Sequence, residues 1–508
     1  MNLPHPVMHP LLRAWPVTAR DALPFALWSA AEIAAACCGT ASHDFEASGV
    51  EMDSRDVKPG DLFVALKGEV MNGHKFLPQA FEKGAIAAIV DRPVDYPHVL
   101  VEDTTAALHA LAQAARERSH AVCIAVTGSV GKTGVKESIF ACLDRASRGA
   151  AHRSVRSYNN HVGVPLSLAR MPARSRFGVF EMGMNHAGEI APLAAHVRPQ
   201  VALITTIAPA HIENLGSLEA IADEKAQIFT GLVEGGTAII PADSEWAERM
   251  IGHARACGAH VVTFGRCASA DVRMLDAIPA AGGGALVTAD LGDRRICYTI
   301  AEPGEHWIVN SLGVMAAVRA AGGDLASAGL ALAEMGGLKG RGARHTIAVD
   351  GGTALLIDES YNANPASMRA TLKALAATTA TRRLAVLGSM KELGDFADAF
   401  HRQLAEPIAE AGVAHTILVG EEMRALAEEL GKLPAPALGK PITFAHCGTS
   451  AEAIALLGQF ALAPGDAVLV KGSNSVGLGR LVSHFTDKSP AGTAAGGRGP
   501  IQRAPRND

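Results

Sequence analysis

Apolar and polar positions fall into three textures along the chain. Up to about Ser119, strand-like runs at 61–66, 85–90 and 98–102 surround a turn-rich Lys58-Pro59-Gly60-Asp61. A helical period over 105–118 closes this segment, and 27–38 reads as an alanine-rich helix. From His120 to about Gly323, apolar runs at 121–126, 177–180, 201–207, 237–240 and 260–264 alternate with helical patterns. Such alternation predicts a mostly parallel sheet with right-handed crossovers. Residues 271–300 hold two runs around Gly282-Gly283-Gly284 and predict an antiparallel edge. A helix over 307–321 ends at Gly322-Gly323. From about Asp324, runs at 354–358, 384–388, 415–420, 441–445 and 467–471 each lead into a helical pattern. This predicts a second, Rossmann-like doubly wound unit, although it lacks the G-x-G-x-x-G dinucleotide fingerprint. The expected class is therefore α/β, with a small α/β domain over 27–119, a central domain over 120–323 and a third over 324–487. Residues 1–26 read as a loose extension. Residues 488–508, rich in Gly, Pro, Ala and Arg and without an aromatic residue, read as a disordered tail.

Length agrees with this division, since 508 residues correspond to about three domains of ~150. Hydrophobic residues at 48% and charged residues at 19% permit large cores and exclude global disorder. The formal charge of −5 excludes a general polyanion binder, and 5% aromatic content argues against a stacking platform, so no nucleic-acid partner is expected. No run approaches the ~20 uninterrupted apolar residues of a membrane span. Residues 22–36 imitate a signal peptide, but Pro24 and Glu32 interrupt them. The cysteines contain no C-x-x-C pair, which fits a reducing cytoplasm with neither disulfides nor a zinc knot.

The strongest local chemistry is an apolar run that enters Thr127-Gly128-Ser129-Val130-Gly131-Lys132-Thr133, with a helix predicted from Lys132. Such a loop turns successive backbone N–H groups inward, and the helix N-terminus adds positive potential. Lys132 would reach the β- and γ-phosphates of a nucleotide, and the Thr133 hydroxyl would ligate Mg²⁺. Val126 stands where the longer form of the motif has its first glycine. No N-K-x-D is present, so a GTPase is not indicated.

Taken together, residues 27–485 resemble the Mur ligase family of peptidoglycan synthesis. In the first segment the resemblance rests on Asp53-Ser54-Arg55, the run from Lys58-Pro59-Gly60-Asp61 to Lys67-Gly68, and Asn72-Gly73-His74. In the second it rests on the phosphate loop, Asn159-Asn160-His161-Val162-Gly163-Val164-Pro165 and Glu181-Met182-Gly183. In the third it rests on Asp358-Glu359-Ser360-Tyr361-Asn362-Ala363-Asn364-Pro365 and Met390-Lys391-Glu392-Leu393-Gly394. These last two runs resemble the branch that adds D-alanyl-D-alanine, and the D-N-P-R of a diaminopimelate-adding sister is absent.

The resemblance implies an ATP-dependent amide ligase joining D-alanyl-D-alanine to UDP-N-acetylmuramoyl-tripeptide through an acyl phosphate. It implies Lys132, Glu181, His211 and Lys225 as catalytic residues, with Thr133 and Glu181 on one magnesium and His211 on a second. Lys225, otherwise an ordinary surface lysine, would be carbamylated. Residues Thr127, Gly128, Ser129, Val130, Gly131, Lys132 and Thr133 would hold ATP. Asn310 would serve the adenine, Arg341 a phosphate and Asp358 the ribose. Ser54, Arg55, Lys67 and His74 are the uridine-side candidates. Asn159, Asn160, Tyr361, Asn362, Asn364 and Lys471 are the remaining substrate candidates. A cytoplasmic monomer is expected. Two departures stand out: Gly134 where Ser or Thr often follows G-K-T, and Asn474-Ser475-Val476 where an arginine-containing run is usual. The rivals are an enzyme of neighbouring specificity, either a Mur ligase adding a different amino acid or a folylpolyglutamate-synthase-like ligase, and a nucleotide-dependent switch or binding module.

Overall fold

The computed structural model describes residues 26–68, 72–280, 283–432 and 442–487. The expected tail at 488–508, all of the expected extension but Ala26, the strand start at Pro441 and Gly282 lie outside the described residues. The chain divides into two compact units, Met1–Ala115 and Arg116–Asp508.

The first unit is built on a five-stranded sheet in the order Thr40–Ala41, His98–Leu100, Ala87–Val90, Asp61–Val64, Gly49–Glu51. All its pairs are parallel except the one made by Thr40–Ala41. Leu62–Val64 and Ala87–Val90 are buried throughout, as their unbroken apolar runs require, and the buried Asp61 that starts its strand accepts from Lys58 N at 2.8 Å. The first helix is shorter than its pattern, Ala30–Cys37, because Trp28–Ser29 pairs with Glu46–Ala47 as a strand. Ser29 and Glu32 then form a capping box at its start.

The second unit holds two sheets. One has nine strands in the order Arg295–Ile300, Ala285–Asp290, Val272–Pro279, His260–Gly265, Thr237–Pro241, Val201–Ile204, Val122–Thr127, Phe177–Glu181, Ala151–Arg153. It is parallel from Ala151–Arg153 to Val272–Pro279, and its last two pairs are antiparallel. The antiparallel edge has three strands rather than two runs. A turn at 291–294 splits the second run, with Asp290 Oδ1 accepting from Gly292 N at 2.9 Å. The strand expected over 201–207 stops at Ile204 because the next residues brace the phosphate loop instead. Thr205 Oγ1 donates to Val130 O at 2.6 Å, and Ser129 N donates to Thr206 O at 2.8 Å.

The other sheet has six strands in the order Ala343–Val349, Gly352–Glu359, Ala467–Lys471, Arg383–Gly388, Val413–Val419, Thr443–Cys447. Only the first pair is antiparallel. The hairpin strand Ala343–Val349 has no counterpart in the sequence pattern, because its inward positions are interspersed with Arg344, His345 and Thr346. Cores form on both sides of this sheet, around Met368, Leu387 and Leu426 on one and Val386, Ile417 and Leu481 on the other. Phosphate loop and Asp358 motif both follow strand carboxyl ends, where open α/β sheets bind ligands.

Candidate active site

The strand Val122–Thr127 delivers the loop, and the helix Lys132–Ser147 leaves it. Gly131 takes φ 87°, a left-handed value that glycine adopts without strain. A Cβ on Gly128 would lie 1.9 Å from Thr205 Oγ1, so only glycine fits there. Lys132 Nζ donates to Gly128 O at 2.7 Å, closing the loop on itself. Burial lowers the Lys132 pKa, and Glu181 opposes that shift.

Glu181 ends the neighbouring strand with 1% of its surface exposed. Its Oε2 accepts from Thr133 Oγ1 and its Oε1 from Asn159 Nδ2, both at 2.8 Å. A hydroxyl and a buried carboxylate this close are the hard oxygen donors that Mg²⁺ takes. Ser157 Oγ lies 3.4 Å from Thr133 Oγ1 and accepts from Arg341 Nη2 at 3.2 Å.

Arg341 thus reaches from the edge of the six-stranded sheet to Ser157, beside the phosphate loop's Thr133. Its guanidinium stacks 4.3 Å from the Tyr361 ring centroid. Lys471 is 2% exposed; it donates to Asn362 O at 2.9 Å and lies 3.5 Å from Glu359 Oε2. Asn364 caps the helix Pro365–Ala376, accepting from Ser367 N at 2.9 Å. These residues and the phosphate loop line one cleft of about 800 Å³, together with Asn159, Glu181, His211 and Asn310.

Other candidates sit elsewhere. Asp358 is buried and is not among the cleft-lining residues. Its Oδ2 accepts from Gly340 N at 2.7 Å and its Oδ1 from Ser360 Oγ at 2.6 Å, so it fastens the Gly340–Gly342 turn. Asn160 accepts from Gly163 N at 2.9 Å as a turn residue beside the cleft. Lys225 is 1% exposed, not the surface lysine its sequence pattern suggests by default. Burial first, then the charge of Lys132, push its pKa well below the ordinary lysine value. His211 Nδ1 lies 2.5 Å from Glu392 Oε2. The approach falls outside hydrogen-bond geometry for the ring N–H, so it is a close packing contact rather than a directed hydrogen bond. Among the described residues, no group of three His, Cys, Asp or Glu side chains could hold a metal. His211 and Glu181 line the same cleft but belong to no such three-residue group.

In the first unit, Ser54 Oγ donates to Gln79 Oε1 at 2.6 Å, and His74 is buried with Nε2 3.1 Å from Asp91 Oδ1. Arg55 pairs with Asp53, and Lys67 is exposed.

Sequence reasoning missed Ser157, Glu359, Trp307 and the contact of Glu392. Trp307 carried a signal: a Cβ on Gly134 would lie 2.5 Å from its Cη2. The glycine that departs from the usual motif therefore makes room for the indole.

Three family models match the chain: Mur ligase family, catalytic domain, over residues 46–122; Mur ligase middle domain over 126–318; and Mur ligase, glutamate ligase domain, over 344–474. The UDP-N-acetylmuramoyl-tripeptide–D-alanyl-D-alanine ligase of Synechocystis is 36% identical, covering 88% of this chain and 94% of the relative. The Escherichia coli ligase of the same name is also 36% identical, covering 76% and 84%. A crystal structure of MurF from Acinetobacter baumannii superposes with TM-score 0.77 at 29% identity, covering 91% of this chain and 99% of that one. The chain belongs to the Mur ligase family.

Proposed function

We propose that this chain joins D-alanyl-D-alanine to UDP-N-acetylmuramoyl-tripeptide with ATP, forming the pentapeptide precursor of peptidoglycan. The observation that carries this reading is the shared cleft, in which the phosphate loop faces Arg341, Tyr361 and Lys471 of the other sheet. The tripeptide carboxylate attacks the γ-phosphorus, the bond to the β,γ-bridging oxygen breaks, and ADP leaves. The dipeptide amine then attacks the acyl carbon, loses a proton and expels phosphate.

The chain's part is positioning and charge. Lys132 turns from Gly128 O to the phosphates, and the loop N–H groups and Arg341 share the negative charge. Thr133 and Glu181 fit one magnesium ion, which when bound neutralises phosphate charge. His211 would hold a second ion only with ligands supplied by substrate. Asn310 approaches Gly131 and serves the adenine side; Asp358 acts on the ribose side through the turn it fastens. Tyr361, Asn362, Asn364 and Lys471 face the dipeptide, and Ser54, Arg55, Lys67 and His74 serve the uridine substrate. Lys225, held toward its neutral form, adds CO₂ with loss of a proton to become a carbamate. Among the described residues, no helix is long and apolar enough to cross a membrane. A monomer working in the cytoplasm fits these substrates.

The test is phosphate release and amide formation with each substrate omitted in turn, using acceptors ending in diaminopimelate or lysine. Release that requires both substrates supports the reading. Hydrolysis indifferent to them favours a nucleotide switch.

A further inference from the structure

Glu392 and His211 come from different sheets of the second unit, and both have left-handed backbones, φ 63° and φ 59°. That conformation costs a non-glycine residue about 1 kcal/mol or more, so a surrounding structure must hold it. The loop carrying Glu392 is well held. Met390 N donates to the buried His401 Nε2 at 3.0 Å, and Lys391 N donates to Ser473 Oγ at 3.1 Å. Met390 and Leu393 are buried on either side. Two residues on, a Cβ at Gly394 would lie 3.0 Å from Glu213 Cγ, so glycine lets this loop approach the segment after His211.

We propose that Glu392 is a positioning residue for His211 and a latch between the two sheets of the second unit at the cleft, beside the Arg341–Ser157 bond. Its carboxylate packs against the Nδ1 side of the imidazole and restrains the ring, leaving Nε2 as the ring nitrogen available to the cleft. A carboxylate packed against the far nitrogen of a working histidine restrains its orientation. The inference rests on the ligase reading for its kinetic arm only.

The experiment compares Glu392→Gln, Glu392→Asp, His211→Asn and the Glu392→Gln/His211→Asn double variant in the full chain. Hydrogen exchange of the ligand-free protein is read first. Either single variant is expected to speed exchange in both 209–216 and 389–396, whichever residue was changed. Faster exchange only in the altered residue's own segment would overturn the latch. In amide synthesis, each single variant should lower kcat about 10- to 100-fold with KM for the tripeptide substrate unchanged. The double variant should fall no further, and Glu392→Asp should recover part of the loss. Multiplying losses would overturn the positioning role. If Glu392→Gln does not fold, Glu392→Asp and His211→Asn carry both readouts. A wild-type chain that makes no amide would defeat the ligase reading, while the exchange data still decide the latch.

Discussion

Lys225 illustrates what a single residue contributes. It lies on a helix with Ile221 and Ala222, all buried, so its charge has lost the water that would support it. Its depressed pKa keeps more of the amine neutral at a given pH, and only the neutral amine adds CO₂. Lys225→Ala should lower amide formation at least ~100-fold, and intact mass under gentle conditions should show one added CO₂ on the wild type alone. Full activity of Lys225→Ala would remove the carbamate from the mechanism. The burial of this lysine was not legible in the sequence, because a lysine in a helical run reads as solvated. Phosphate-loop residues and Glu181 were legible because strand, loop and helix signals are local. Ser157 and the contact of Glu392 were not, since their partners lie 24 to 184 residues away; the Met390–Gly394 run marked a family loop but not what Glu392 would touch.

At the scale of elements, turns and caps decide where the site residues point. The capping box at Asn364 satisfies backbone donors at the start of Pro365–Ala376. Asn364→Ala should cost about 1 kcal/mol, read as a lower denaturant midpoint. Gly128→Ala would drive a methyl into Thr205 and should abolish nucleotide binding while circular dichroism stays native. Binding at wild-type strength would show that the loop tolerates the shift. The central parallel strands were legible from their apolar runs, but the short parallel edge strands Gly49–Glu51 and Ala151–Arg153 were not. The hairpin strand Ala343–Val349 was not, because an edge strand pairs on one side and carries polar residues inward and outward alike.

For the whole molecule, the junction near Gly342 carries a pH signature. Glu302 is 6% exposed, and burial, then the charge of Glu359, push its pKa up to about 7. Its folded pKa exceeds the unfolded value, so the folded chain binds more protons between about 4.5 and 7. Stability contributed by the protonated form is therefore lost as pH rises through that window. Glu302→Gln should raise stability above pH 7 by roughly 1–3 kcal/mol and flatten the dependence of Tm on pH. An unchanged slope would place the titration elsewhere. The bond from Lys132 to Gly128 has a consequence on this scale too. The Gly128 carbonyl acts as a placeholder acceptor, so an incoming anion takes its place on the lysine rather than simply adding. Small ions such as inorganic phosphate offer fewer contacts in return than a nucleotide does. The protein can therefore remain receptive to ATP in an anion-crowded cell.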